Sequence, residues 1–335
     1  LRPHGDGFLD WVLQLNLSML DTCEKLARDL PFALIHAHDW LVCHAAKALK
    51  HKLNIPLVAT IHATEHGRNN GIFSDLQHSI HKLESELCYQ AEKVIVCSKY
   101  MENEVKEIFQ LPFEKVLALP NGIDPNLLRS STRETSKYPS KLKSEQVVLF
   151  IGRMVREKGV HVLLEASPQI LEAFPEARIV CAGTGPMLEE LRTIAIRLGV
   201  SERVSFPGYV TDEERNRLFA NADVAVFPSL YEPFGIVALE AMATGAPVVV
   251  SDAGGLNDVV EHGRNGLKVY AGNPQSLADQ IKGMLANPLW ARSLARTAAL
   301  EIGKFDWSRI AARTLEVYNQ IFYDSKGLLL AQHVK

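Results

Sequence analysis

The chain has 335 residues, 47% of them hydrophobic and 22% charged, with a formal net charge of −3. That length exceeds what one hydrophobic core usually serves, so two domains are expected. The lack of a basic excess argues against nucleic acid or an anionic membrane surface as partner, and no apolar run reaches the roughly 20 residues of a spanning helix.

No signal peptide is visible. The five cysteines (Cys23, Cys43, Cys88, Cys97, Cys181) are odd in number and contain no CxxC pair. They fit reduced core thiols in a cytoplasmic protein better than a disulfide framework or a zinc site. Residues 1–6 (LRPHGD) are polar and lead straight into an amphipathic helix at 8–29, where a doubly wound domain would open on a buried strand. The chain therefore reads as a domain without its first strands. Strands at 33–37, 56–61, 93–97 and 116–119 then alternate with helices at 41–52, 73–90 and 98–109, the last capped by Ser98. This is the rhythm of a parallel α/β sheet.

Residues 123–145 carry Ser, Lys and Arg with little apolar content and read as a linker. The expected domains are thus 1–122 and 146–306. In the second, strands at 147–151, 177–182, 203–206, 224–227, 247–250 and 267–270 alternate with helices at 159–173, 187–198, 212–220, 235–244 and 255–261. Helices at 275–285 and 289–302 close it. A further helix from 307 to about 322 lies in the segment 307–325, and 326–335 is expected to fray. Two such Rossmann-like units bind ligands at the carboxyl ends of their strands, so a cleft between them is expected.

EPFGIVALEAMATGA (232–246) sets Glu232 and Glu240 eight residues apart around a helix start. The amides of Phe234, Gly235 and Ile236 lack intrahelical partners there and, with the helix dipole, suit a phosphate. GRMVREKG (152–159) places Gly152, Arg153 and Lys158 after the preceding domain strand, either as a diphosphate clamp or as a solvated basic turn. GTGP (183–186) is half a dinucleotide fingerprint and equally a plain strand-to-helix turn. His36 and His38 share one face of a strand end beside Asp39; without further ligands, hydrogen bonding is favoured over a metal.

These motifs, with HAHDW (36–40), TIHATEHGR (60–68), VIVCSKYM (94–101), LPNGID (119–124) and SDAGGLNDVVEHGRNG (251–266), resemble the retaining nucleotide-sugar glycosyltransferases of family 4. The glycogen-synthase-like branch is the nearest in pattern. The resemblance implies the GT-B fold, two doubly wound parallel-sheet domains facing a cleft. It also implies transfer of a hexosyl, chiefly glucosyl, unit from a UDP- or ADP-sugar to a carbohydrate or small hydroxyl acceptor. Arg153 and Lys158 would neutralise the diphosphate, Glu240 would accept from the ribose diol, and Glu232 would meet sugar hydroxyls. Tyr209 and Val210 would border the base. His62, with His38, Glu65 and Arg68 near it, would face the donor sugar across the cleft. The helix after 307 would return to the first domain as a hinge.

The chain contains no DxD pair, so no essential metal or other cofactor is expected. Two other readings stand beside the leading one. One is transfer to a small acceptor such as a sugar phosphate or inositol. The other is a nucleotide-sugar-binding fragment with little turnover, since no GGxG-like loop precedes His62 and only His4-Gly5-Asp6-Gly7 is present. No pattern specifies an oligomeric state.

Overall fold

In the computed structural model, which describes residues 7–130 and 145–332, the chain divides into two units. Unit 1 comprises Leu1–Pro120 and Ile310–Lys335, and unit 2 comprises Asn121–Arg309.

Unit 1 opens on the amphipathic helix α1 (Phe8–Asp29). Its apolar stripe packs on α2 (Cys43–Leu53). A polar residue secures that contact: buried Asn16 donates to Val12 O (2.7 Å) and Leu41 O (2.8 Å), and its Oδ1 accepts from Ala45 N (2.8 Å). Both amide N–H groups and the carbonyl oxygen are then engaged, as burial demands. The strands β1 (Ile35–His38), β2 (Leu57–Ile61), β3 (Lys93–Val96) and β4 (Val116–Ala118) form a parallel sheet in sequential order. Between them run the short helix α3 (Glu65–Asn69), α4 (Asp75–Gln90) and α5 (Lys99–Phe109). Ser98 caps α5 as expected, accepting from Met101 N at 3.1 Å. The five-residue α3 was not foreseen; Thr64 caps it, accepting from Gly67 N.

Residues 121–130 do not behave as a linker. They hold α6 (Pro125–Ser130), which packs on α10 (Ile236–Thr244) in unit 2. The rest of the expected linker, 131–144, lies outside the described residues, as do 1–6 and the final three. Unit 2 continues with β5 (Val147–Ile151), α7 (Val160–Ala173), β6 (Arg178–Ala182), α8 (Leu188–Arg197), β7 (Val204–Gly208), α9 (Asp212–Asn221) and β8 (Val224–Phe227). After α10 come β9 (Val248–Ser251), α11 (Leu256–Val259), β10 (Leu267–Val269), α12 (Pro274–Ala286) and α13 (Pro288–Glu301). Helix α7 tolerates Pro168 because the Ser167 hydroxyl donates to Leu164 O (2.5 Å), the carbonyl the proline cannot serve.

The six strands are all parallel, ordered β10-β9-β8-β5-β6-β7. Every residue of β8 and β9 is buried, as both faces of a covered parallel sheet require. The order reverses between β5 and β8. In open parallel sheets the carboxyl ends of the strands at such a reversal are where ligands bind.

The last helix, α14 (Trp307–Gln332), is longer than the sequence suggested and leaves no frayed stretch at 326–332. Its first residues count with unit 2 and the remainder with unit 1, where Val317 and Ile321 join Val58, Ile95 and Leu119 in one buried cluster.

Candidate active site

The two loops that carry the predicted residues leave the carboxyl ends of β5 and β8. Leu230 N and Tyr231 N donate to Glu157 O (2.8 and 3.3 Å), which ties the loop after β8 to the loop after β5. Gly159, in the left-handed region at φ 68°, sits so close to the second loop that a Cβ would stand 1.9 Å from Pro228 O. Only glycine permits that approach.

Lys158 Nζ lies 2.6 Å from Glu232 Oε2, with side-chain exposures of 20% and 14%. Ser229 Oγ donates to the same oxygen at 3.1 Å, and Ser251 Oγ donates to Ser229 O at 2.5 Å. One oxygen of Glu232 is thus doubly held. Arg153 is not part of this pair: its guanidinium is 65% exposed and bonds Glu157 at 3.3 Å. The two cations expected to act together are separated because a tight turn at Arg156–Lys158 points Lys158 inward.

Helix α10 starts beside this pair. Its N-cap Gly235 has φ 104°, and among the described residues none accepts from the amides of Phe234, Gly235 or Ile236. The Phe234 ring packs on Phe305, 5.9 Å between centroids; Phe234 and Gly235 are buried, whereas Ile236 is exposed. Glu232 O also accepts from Gly255 N at 2.7 Å, so the loop after β9 joins the same wall.

Glu240 is not brought to Glu232. Its Oε1 lies 3.3 Å from Arg215 Nη1 on α9, and both side chains are under one-fifth exposed. Burial raises the Glu240 carboxyl above the usual range, Arg215 opposes that rise, and Asp212 adds to it. Arg215 also pairs with Asp212 at 2.9 Å. Sequence reasoning missed Arg215, whose position on a strongly polar helix carries no signal of a buried partner. Tyr209 and Val210 follow β7 directly, with Tyr209 76% exposed. The GTGP turn is engaged by its own fold: Gly183 N donates to Gly208 O and Thr184 O accepts from Met154 N.

In unit 1 the predicted histidines form a ladder. His38 Nδ1 and His62 Nε2 share a hydrogen bond at 3.1 Å with their rings nearly parallel, and His36 lies 4.3 Å from His38 by ring centroids. His36 is held at both nitrogens, by Tyr318 Oη (2.5 Å) and Thr60 Oγ1 (2.7 Å). Burial and then the neighbouring histidines lower His36 to about 4. Burial, followed by His62, lowers His38. Asp39 accepts from His62 N at 2.8 Å, fixing the turn after β2. Among the described residues no group of three or more ligating side chains could hold a metal ion.

Glu65 and Arg68 line a separate cavity of about 300 Å³ with Phe8, Asp39, Trp40 and Glu84. Glu84 accepts from Glu65 N at 2.9 Å through one oxygen while the other is buried without a partner. Burial pushes its carboxyl up to about 8. Of the five free cysteines, four are buried, and no helix among the described residues is long and apolar enough to cross a membrane.

Comparison with known proteins follows the same division. Residues 132–300 match the family model for glycosyl transferases group 1, and residues 2–127 match that for glycosyltransferase family 4. An uncharacterized glycosyltransferase of Methanocaldococcus jannaschii is 38% identical over 95% of this chain and 82% of its own length. The glycogen synthase of Mycobacterium tuberculosis is 35% identical over 94% of this chain and 78% of its own. Among solved structures, Anabaena HepE in complex with UDP and glucose superposes with a TM-score of 0.78 at 26% identity, covering 95% of this chain and 84% of that one. The paired parallel sheets are those of the GT-B fold. The chain belongs to the group 1, family 4 glycosyltransferases, enzymes that transfer glycosyl groups.

Proposed function

We propose that the enzyme transfers a glucosyl unit, with retention of anomeric configuration, from a UDP- or ADP-sugar to an acceptor hydroxyl, with a glucan as the leading acceptor. The observation that carries this reading is the Lys158–Glu232 pair at the β5/β8 reversal beside the start of α10, whose first amides have no acceptor among the described residues. A cation and a helix N-terminus stabilise the negative charge that develops on a departing diphosphate. Carboxylates would repel phosphate, so Glu232 serves sugar hydroxyls and Glu240 the ribose diol. When a diphosphate takes Lys158, Glu232 Oε2 keeps only the Ser229 hydroxyl and can accept from a sugar hydroxyl. His62 is the catalytic group of unit 1, held in place by His38.

The glycogen synthase relative and the UDP and glucose bound by HepE support the donor and acceptor classes. Arg153, Lys158 and the helix terminus supply the charge that a divalent ion provides elsewhere, and the reaction is proposed to need no metal. Activity abolished by a chelator and restored by manganese would defeat that part.

The test is turnover with UDP-glucose and ADP-glucose on glycogen or maltooligosaccharides, following nucleotide release and the product anomer by NMR. An α-linked product from an α-donor is expected. A β-linked product would end the retaining assignment, and binding without turnover would reduce the protein to a nucleotide-sugar binder.

A further inference from the structure

Glu240 occupies an awkward position for a group assigned to accept hydrogen bonds from a diol. It is largely buried on α10, where a carboxyl tends to keep its proton and so to present a donor on one oxygen. Against helix α10 pack α6, α9, α11, α13, β8, β9 and the turn at Ile302–Phe305. The charged groups that act on Glu240 are Arg215 and Asp212, both on α9.

Arg215 sits between these two carboxylates, 2.9 Å from Asp212 Oδ1 and 3.3 Å from Glu240 Oε1. Asp212 is widely exposed while Glu240 is not. The guanidinium therefore has an anchor at the surface and a partner inside. Its contact engages one Glu240 oxygen; Oε2 has no partner among the described residues.

We propose that Arg215 is a positioning residue for the donor site: it holds Glu240 Oε1 so that Oε2 is presented, ionised, as the acceptor for a vicinal diol of the nucleotide. This rests on the ribose role given to Glu240 above. Burial pushes Glu240 toward protonation and Asp212 adds to that push, so Arg215 is the group that opposes both. Without it the carboxyl becomes neutral in a pH range where the native enzyme still presents an anion. A neutral carboxyl offers a hydroxyl in place of one acceptor, and both diol hydroxyls cannot then donate to it.

The experiment is calorimetric binding of UDP, ADP and their 2′-deoxy forms to the full chain at a series of pH values, from mildly alkaline to mildly acidic. Wild type, Arg215→Met, Arg215→Lys and Glu240→Ala are compared, with circular dichroism to verify folding. Wild-type affinity is expected to change little over this range. Arg215→Met should bind near wild type at the alkaline end, weaken on the order of tenfold at the acidic end as hydrogen bonds are lost, and there stop distinguishing ribo from deoxyribo nucleotide. Arg215→Lys should keep most of the wild-type profile.

A uniform loss at every pH, or a profile parallel to wild type, overturns the proposal while Glu240→Ala still shows the loss that the ribose role requires. If Glu240→Ala itself binds like wild type and still distinguishes the deoxy forms, the ribose role has failed, and this proposal with it. Should Arg215→Met not fold, Arg215→Gln and Asp212→Asn carry the comparison. A glutamine variant that loses ribose discrimination at acidic pH, with an asparagine variant unchanged or improved there, supports the proposal; two flat profiles overturn it.

Discussion

Lys158 and Glu232 meet at 2.6 Å in a place with little access to water, so each offsets the other's charge. Removing one partner of such a pair leaves an uncompensated charge, a loss of ~3–5 kcal/mol when burial is complete and less here. Lys158→Met and Glu232→Leu should each lower the melting temperature, and the double variant should recover much of the loss without recovering turnover. Additive destabilisation in the double-mutant cycle would contradict this. Glu240→Ala should weaken binding of UDP or ADP by ~1–3 kcal/mol, whereas Glu232→Ala should chiefly slow the sugar-dependent step. Calorimetry beside kcat separates the two, and equal loss of plain nucleotide affinity in both would remove the division of roles.

Two other residues give unit 1 a pH signature. His36 is lowered to about 4 by burial and its histidine neighbours, so the unfolded chain takes up a proton first as the pH falls. Its contribution is full above about 6.5 and is lost between there and about 4. Glu84 works the other way. Raised to about 8, it stays protonated in the folded state, and its contribution is lost as the pH rises from the usual carboxylate value through about 8. Glu84→Gln should therefore flatten the alkaline fall of unit 1 stability in urea titrations, while a wild-type slope in that variant would show that Glu84 is not its source.

At the scale of elements, capping and turn chemistry explain what was readable in advance. Ser98 before an amphipathic run announces α5, and Ser98→Ala should cost about 1 kcal/mol in denaturant titrations because Met101 N loses its acceptor. Gly159→Ala should cost more, because the Pro228 carbonyl 1.9 Å from the new carbon must move and part the loops after β5 and β8. Both melting temperature and nucleotide affinity should fall together.

Strands β5 and β8 were legible to the residue because they are uninterrupted apolar runs bounded by turn residues. Helix α3 was not, since five residues contain too little periodicity to register. Helix α6 was hidden by the polar stretch that follows it, and the far end of α14 by the expectation that termini fray. At the site, residue types that follow strands were found by position alone. Their pairings were not: nothing in the spacing of Lys158, Glu232, Arg215 and Glu240 says which cation meets which carboxylate, because that depends on where α9 and the β8 loop lie in three dimensions.

At the scale of the whole chain, unit 1 is discontinuous and unit 2 is not. Residues 310–332 supply Val317 and Ile321 to the unit 1 core and Tyr318 to His36. A chain ending at Arg309 should therefore lose the cooperative melting of unit 1 while unit 2 keeps its own transition and its affinity for nucleotide. Calorimetric scans of that truncation check it; an intact unit 1 transition would mean the helix is dispensable.

The same discontinuity orders events during synthesis. Residues 1–120 emerge before unit 2, yet the cluster they share with α14 cannot close until that helix has left the ribosome, after the whole of unit 2 has been made and is free to fold. The half that carries the histidine ladder is thus begun before unit 2 and finished after it. Through that interval the apolar faces that await Val317 and Ile321 are the surface most exposed to misassociation, and chaperone dependence should concentrate there.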